Sequence, residues 1–261
     1  MSTPLILVTN DDGIYSPGLR YLINVLNKIG KVVVVAPDSP QSAQSHAITI
    51  NQPISCDKIK IDNGKQLEFI CSGTPVDCVK LALSEILDKK PDICVSGINH
   101  GSNASINVIY SGTVSAAVEA SIHEIPSVGF SILDYSENTE LKHTEKYIIH
   151  IVNKLLNSEK NVCLNVNIPK FSDIPIKGLK VCHQAKGKWI EEFDERFSPM
   201  GKRYFWLTGK FIKDDESKDA DQNILNENYI SVVPVNFDLT SYSHLNHIDK
   251  LYQICNLFNN R

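Results

Sequence analysis

No block of like charge runs through the 261 residues: 26 basic and 30 acidic side chains are interspersed, for a formal net charge of -4. This excludes the basic stripe of a nucleic-acid groove and the polybasic face of a membrane-surface helix. No apolar run approaches the roughly 18 residues that a bilayer-spanning helix needs. The cysteines, at positions 56, 71, 78, 94, 163, 182 and 255, are odd in number and contain no C-x-x-C spacing. That argues against a disulfide framework and a cysteine-rich zinc site, and most are expected to be small buried hydrophobes. An apolar strand begins after only four residues, which leaves no room for a secretory leader; the expected compartment is the cytoplasm. No G-x-G-x-x-G follows that strand and no G-x-x-x-x-G-K-[ST] occurs, so dinucleotide and P-loop readings lose their support.

What is present is the composition of an ordinary globular chain, 42% hydrophobic and 21% charged, long enough for one large domain with a sizeable core. Leu5 to Val8 is an unbroken apolar run, as expected of a strand buried on both faces. Pro17 opens a stretch with Leu19, Leu22, Ile23, Leu26 and Ile29 at helical spacing, stopped by Gly30, and Lys31 to Ala36 is a second buried strand. The segment from Ala47 to Ser72 reads as a β-hairpin excursion around Asn63-Gly64. Helices are then expected at Pro75 to Leu87, Thr113 to His123 and Glu140 to Leu156. They alternate with strands at Ile93 to Gly97, Val128 to Ile132 and Val162 to Val166. The alternation predicts an α/β fold, a Rossmann-like doubly wound and mostly parallel sheet between helical layers, over about residues 1–170. Beyond it, about residues 171–261 read as a β-rich, loop-rich extension of the same domain. Its strands are expected around Leu179 to His183, Arg203 to Leu207 and Tyr229 to Val235, broken by the polar stretch Lys213 to Gln222, and a helix at Ile248 to Phe258 closes the chain.

Ligands of doubly wound sheets gather outside the carboxyl ends of the strands, and here those loops are polar: Asn10-Asp11-Asp12-Gly13, Pro37 to Ser42, and Ser96 to Gly101. Adjacent carboxylates repel unless a cation or a shared proton relieves them. Asp11 and Asp12 with the Ser42 hydroxyl and the Asn99 amide oxygen form an oxygen donor set suited to a hard ion, Mg²⁺ or Mn²⁺. The dipeptide alone reads as a solvated turn; its place at the end of the central strand, with polar loops converging beside it, moves the reading to a metal. Ser111, Gly112 and Thr113 stand where a helix begins, a place for an anion as well as for an N-cap. Asp77, in the first turn of another helix, reads as a favourable partner of the helix dipole. Gly13 lies two residues after Asp11, so the Asp-x-Asp pair of haloacid-dehalogenase phosphatases is missing, and attack by metal-activated water is expected rather than a covalent aspartyl phosphate. His244 and His247 read as a surface pair.

The stretches LVTNDDGIYSPGL, VVVVAPDSPQSAQSHAIT, SGTPVDCVKLAL, PDICVSGINHGSN, VIYSGTVSAAVEA and YISVVPVNFDLT together resemble the SurE family of 5′/3′-nucleotidases. The resemblance covers most of the chain and is weak over residues 134 to 200. It implies a metal-dependent phosphatase acting on nucleoside 5′- and 3′-monophosphates, with short polyphosphate as a further substrate of some members. Position by position it makes Asp11, Asp12, Ser42 and Asn99 the ligands of one divalent metal per subunit, Asp11 and Asp12 the catalytic carboxylates, and Asn99, Ser111, Gly112 and Thr113 the groups at the phosphate. It also implies a homodimer or homotetramer built through a carboxyl-terminal arm. The chain departs from the family at Ser39, Ala43 and Tyr242. A non-catalytic Mg²⁺-nucleotide-binding module and a scaffold with a structural metal are the readings from other classes; exopolyphosphatase as the main activity is a third.

Overall fold

A computed structural model describes residues 3–136, 138–158 and 161–253. Strand β1 (Leu5–Thr9) is buried along its whole length. It lies between β2 (Lys31–Pro37) and β5 (Ile93–His100), parallel to both. Its side chains alternate between two cores as the period of a strand requires: Ile6 and Val8 pack in one, Leu7 in the other. The first core receives α1 (Pro17–Leu26) and α4 (Glu145–Leu156). The second receives α2 (Pro75–Leu81) and α3 (Gly112–Ile122). Two helical layers thus sandwich one sheet, the doubly wound α/β arrangement expected from the sequence.

Nine strands follow the order β3-β4-β2-β1-β5-β6-β7-β13-β8. The hairpin read around Asn63-Gly64 is β3 (Cys56–Ile59) with β4 (Leu67–Cys71), and β4 continues the sheet by pairing parallel with β2. On the other side β6 (Ser127–Ile132) and β7 (Cys163–Ile168) extend the parallel run. The chain therefore leaves β1 toward β2 on one side and later returns to add β5 on the other, so the order reverses between β1 and β5. In such sheets this reversal opens a crevice at the carboxyl ends of the two strands.

The carboxyl-terminal part divides. Strands β8 (Leu179–Val181) and β13 (Ile230–Val235) complete the main sheet, β13 antiparallel to β7. Between them β9 (Gly187–Ile190) pairs with β12 (Lys210–Lys213), and β10 (Phe193–Phe197) with β11 (Arg203–Leu207). Residues 187–213 are thereby one two-stranded ribbon that leaves Phe193, Phe197, Trp206 and Leu207 exposed. The polar stretch before residue 222 runs into a short helix, α5 (Asp221–Asn226). Fully buried Asp221 fixes it by accepting the N–H groups of Ser105 at 2.8 Å and Ala185 at 3.1 Å. The last helix, α6 (Leu245–Gln253), begins before the expected Ile248; the rest of that expected helix, with Cys255, lies outside the described residues. Among the described residues no helix is long and apolar enough to cross a membrane.

Candidate functional site

The loop after β1 is held from within by a residue that sequence reading passed over. Asn10 Nδ2 donates to the carbonyl of Gly13 at 3.0 Å and to Ser16 Oγ at 2.8 Å, and Ser16 is the N-cap of α1. Gly13, at φ +92°, occupies the left-handed region where a side chain would be strained. Asp11 and Asp12 are therefore presented on a short, fixed turn.

Three further segments close on that turn. Gln41 N–H donates to the Asp11 carbonyl at 2.7 Å, so Ser42 follows directly beside Asp11. His100 N–H donates to Asp12 Oδ2 at 3.4 Å, which brings the end of β5, with Asn99, against Asp12. Asn99 Nδ2 donates to the Gly101 carbonyl at 2.9 Å, and no hydrogen bond among the described residues uses its Oδ1. The start of α3 comes in from the other layer: Thr113 Oγ1 donates to Asp11 Oδ1 in a short hydrogen bond. Gly112 sits so close that a Cβ there would lie 2.8 Å from Asp11 Cβ and 3.0 Å from Asp11 Oδ2. Ser111 caps α3 by accepting Val114 N–H at 3.0 Å. All seven predicted site residues thus belong to segments that meet at the crevice between β1 and β5. The hydroxyl of Thr113 is committed to Asp11, whereas Ser111 Oγ keeps its own proton free to donate.

The electrostatics of the turn are those of an uncompensated pair. Asp11 is 5% exposed; burial, and then the Asp12 charge beside it, push its carboxyl up to about 6. Burial also raises Asp12. Neither carboxylate has a Lys or Arg ion pair among the described residues, and no group of three or more His, Cys, Asp and Glu side chains converges there as a metal cage. Two carboxylates without a counter-cation, an uncommitted Asn99 Oδ1 and the exposed Ser42 hydroxyl are a hard, all-oxygen donor set, which fits Mg²⁺ or Mn²⁺ and not zinc.

In the metal-free chain the folded state binds the Asp11 proton more tightly than the unfolded state, since the carboxyl rises from 3.8 to about 6. The stability this gives is fully present below 3.8 and is lost as pH rises through about 6. Thermal melting of EDTA-treated protein should therefore fall over that window relative to an Asp11→Asn variant. Added divalent metal should reverse the trend at higher pH, because proton and metal compete for the same oxygens. Parallel melting curves for the two proteins would contradict the raised Asp11.

The segment carrying Ser42 is fastened at several points that the sequence did not announce. Ser45 donates through N–H to the Tyr110 carbonyl at 3.1 Å and through Oγ to the Ile109 carbonyl at 2.7 Å. His46 Nε2 meets Glu119 Oε2 at 2.8 Å. Glu119, 3% exposed, also meets Lys80 at 2.8 Å and His123 at 3.4 Å. Burial opposes its ionisation, but the hydrogen bonds from His46 and Lys80 outweigh that and hold the carboxyl down at about 2. Asp77 does more than favour a helix dipole: besides closing a capping box with Thr74, it accepts Thr49 N–H at 3.1 Å and Thr49 Oγ1 at 2.6 Å. His244 and His247 are exposed, His244 Nδ1 meeting Ser241 Oγ at 2.7 Å, and Tyr242 donates its hydroxyl to Asp238 in a short hydrogen bond.

The family model described as Survival protein SurE matches residues 6–191. A protein named 5′-nucleotidase SurE from Christiangramia forsetii is 58% identical over 242 residues, 92% of this chain and 93% of its own length. One of the same name from Flavobacterium psychrophilum is 58% identical over 244 residues, 93% and 95% of the two chains. Among solved structures, the SurE protein from Aquifex aeolicus superimposes with a TM-score of 0.80 at 39% identity, over 95% of this chain and 99% of that one.

Proposed function

Since the chain belongs to the SurE family, we propose that it is a 5′-nucleotidase, a phosphoric monoester hydrolase that depends on a divalent metal and also accepts 3′-monophosphates. The observation that carries this reading is the meeting of Asp11, Asp12, Ser42 and Asn99 at the strand-order reversal, directly against the start of α3. Asp11, Asp12, the Ser42 hydroxyl and Asn99 Oδ1 would hold the ion, Mg²⁺ or Mn²⁺. When bound, such an ion neutralises phosphate charge and lowers the pKa of water at neutral pH.

The chain's own residues do the rest. Thr113 fixes the Asp11 carboxylate through both its Oγ1 and its backbone N–H. At the start of α3, where the helix dipole is positive, the Gly112 N–H and the Ser111 hydroxyl are the donors left for a phosphate oxygen, since Thr113 N–H is given to Asp11 and Val114 N–H to Ser111 Oγ. Phosphoryl transfer rests mostly on such positioning and charge stabilisation. An oligomer built through the ribbon of residues 187–213 is supported by its exposed Phe193, Phe197, Phe205 and Leu207, which the register places on one face, a row of apolar surface that needs covering.

Phosphate release from nucleoside 5′- and 3′-monophosphates and from tripolyphosphate, measured with Mg²⁺, with Mn²⁺ and after EDTA, tests the proposal. Release with metal, abolished by EDTA and restored by adding metal back, is expected. Undiminished release after EDTA would remove the metal from the reading. No release under any metal would leave a nucleotide-binding module.

A further inference from the structure

The β3–β4 hairpin gathers three thiols at the edge of the sheet, outside the site described above. Cys56 and Cys71 stand directly opposite one another across the antiparallel pair. The neighbouring pair is joined by a backbone hydrogen bond, Ser72 N–H to the Ser55 carbonyl at 3.0 Å. By the alternation of antiparallel ladders, Cys56 and Cys71 form a non-hydrogen-bonded pair. The Cys71 carbonyl accordingly faces away from β3 and accepts Asp38 N–H at 2.8 Å. Non-hydrogen-bonded pairs hold their Cα atoms about 4.5 Å apart with side chains on one face, inside the roughly 4.4–6.8 Å that a disulfide spans.

The surroundings give the two sulfurs different roles. Cys71 is buried, and its Sγ accepts Gly73 N–H at 3.4 Å. The thiol of Cys78, in α2, also donates to it; these hydrogen bonds, that of Cys78 first, hold the Cys71 thiol below its ordinary range. Cys56 is half-buried and reachable from solvent. Burial, and then the neighbouring Cys71 sulfur, push its thiol up to about 11.

We propose that Cys56 and Cys71 are a reversible redox site that closes into a cross-strand disulfide by exchange with a small organic disulfide. Cys56 Sγ, losing its proton, attacks the S–S bond of the small disulfide and becomes a mixed disulfide, while one small thiol leaves with the proton. Cys71 Sγ, losing its proton, then attacks Cys56 Sγ and expels the second small thiol, which leaves with that proton. Two protein thiols are oxidised and one small disulfide is reduced to two thiols. The first step is slow because little of Cys56 is ionised, and the second is faster because Cys71, held below its ordinary range, ionises more readily and already faces Cys56 across the pair. Closure staples the edge strand β3 to β4, whose Cys71 carbonyl anchors Asp38 at the root of the Ser42 segment.

The test incubates the reduced full-length chain, carrying Cys255→Ser, with oxidised glutathione, then quenches with acid, alkylates and maps the peptides by mass spectrometry. The expected product lacks two free thiols, joins the peptides of Cys56 and Cys71, and reverts fully with dithiothreitol. Cys71→Ser should trap glutathione on Cys56; Cys56→Ser should take up none at Cys71; Cys78→Ser should slow closure several-fold without abolishing it. Stable glutathionylation of Cys56 in the parent chain, prior oxidation of any other cysteine, or both thiols still alkylatable would overturn the proposal. The peptide map of the parent chain decides the matter even where a variant fails to fold.

Discussion

An Asp12→Asn variant is expected to release phosphate at least about a hundredfold more slowly than the parent chain, because loss of even an outer-shell partner of a metal site costs roughly 10–100-fold. The substitution keeps the shape of the side chain and an acceptor for His100 N–H, so the turn that Asn10 and Gly13 hold has no reason to rearrange. What it removes is one of two adjacent negative charges with no counter-cation. The metal-free variant should for that reason melt at the same temperature or higher, since the repulsion that helps to raise Asp11 is gone. Activity and stability then move in opposite directions, a combination that damage to the fold cannot produce. Single-turnover phosphate release and Mn²⁺ titration calorimetry, set beside a melting curve, read all three quantities. Retained turnover with weakened metal binding would show that Asp12 only recruits the ion; retained turnover and binding would remove Asp12 from the site.

Gly112→Ala should cost between about tenfold and a hundredfold in kcat/KM, since displacing a reacting group by about 1 Å can cost on the order of a hundredfold. At the first position of α3 alanine is intrinsically the better helix residue, by up to about 1 kcal/mol over glycine. The new methyl, however, would lie 2.8 Å from Asp11 Cβ, closer than carbon atoms tolerate. Either the Asp11 turn or the start of the helix must give way, and both belong to the site. Thermal stability should change little, because the helix gain offsets local strain, while turnover falls. The ratio of kcat/KM to melting temperature is the diagnostic measurement. Full activity would mean that the approach of α3 to Asp11 is not needed for turnover.

Why some of this was legible in the sequence and some was not follows from range. Leu5 to Val8 and Val32 to Ala36 announced themselves because a strand covered on both faces must be apolar at every position. The loops after them then carried their chemistry on consecutive residues. Glu119 gave no such signal: its partners His46, Lys80 and His123 come from three elements, and on its own helix it reads as one acid among small residues. Asp77 was legible as a partner of the helix dipole but not as the anchor of Thr49, 28 residues away. The ribbon of residues 187–213 was half seen, at Arg203 to Leu207, because its other strands interleave aromatics with charges and pack on no core. Asp221 hid α5 inside a polar stretch, for its stabilising partners lie at Ser105 and Ala185. The facing of Cys56 and Cys71 was available in principle: each lies seven residues from the Asn63-Gly64 turn, and a hairpin folded symmetrically about that turn sets them opposite. Only the observed register turns that count into a contact.

The fastening of the Ser42 segment has a consequence for how the molecule comes apart. That segment contributes no strand of its own; it hangs from α2 through Asp77, from α3 through Glu119 and from the Asp11 carbonyl. Free energies of local opening are set by the contacts a segment shares, so this one opens with the α2–α3 layer and not with the layer of α1 and α4. The two sides of the sheet therefore guard different halves of the chemistry: disorder of the α2–α3 layer releases the Ser42 segment, while disorder of α1 leaves that clasp closed and loosens the Asp11-Asp12 turn through its Asn10–Ser16 bond.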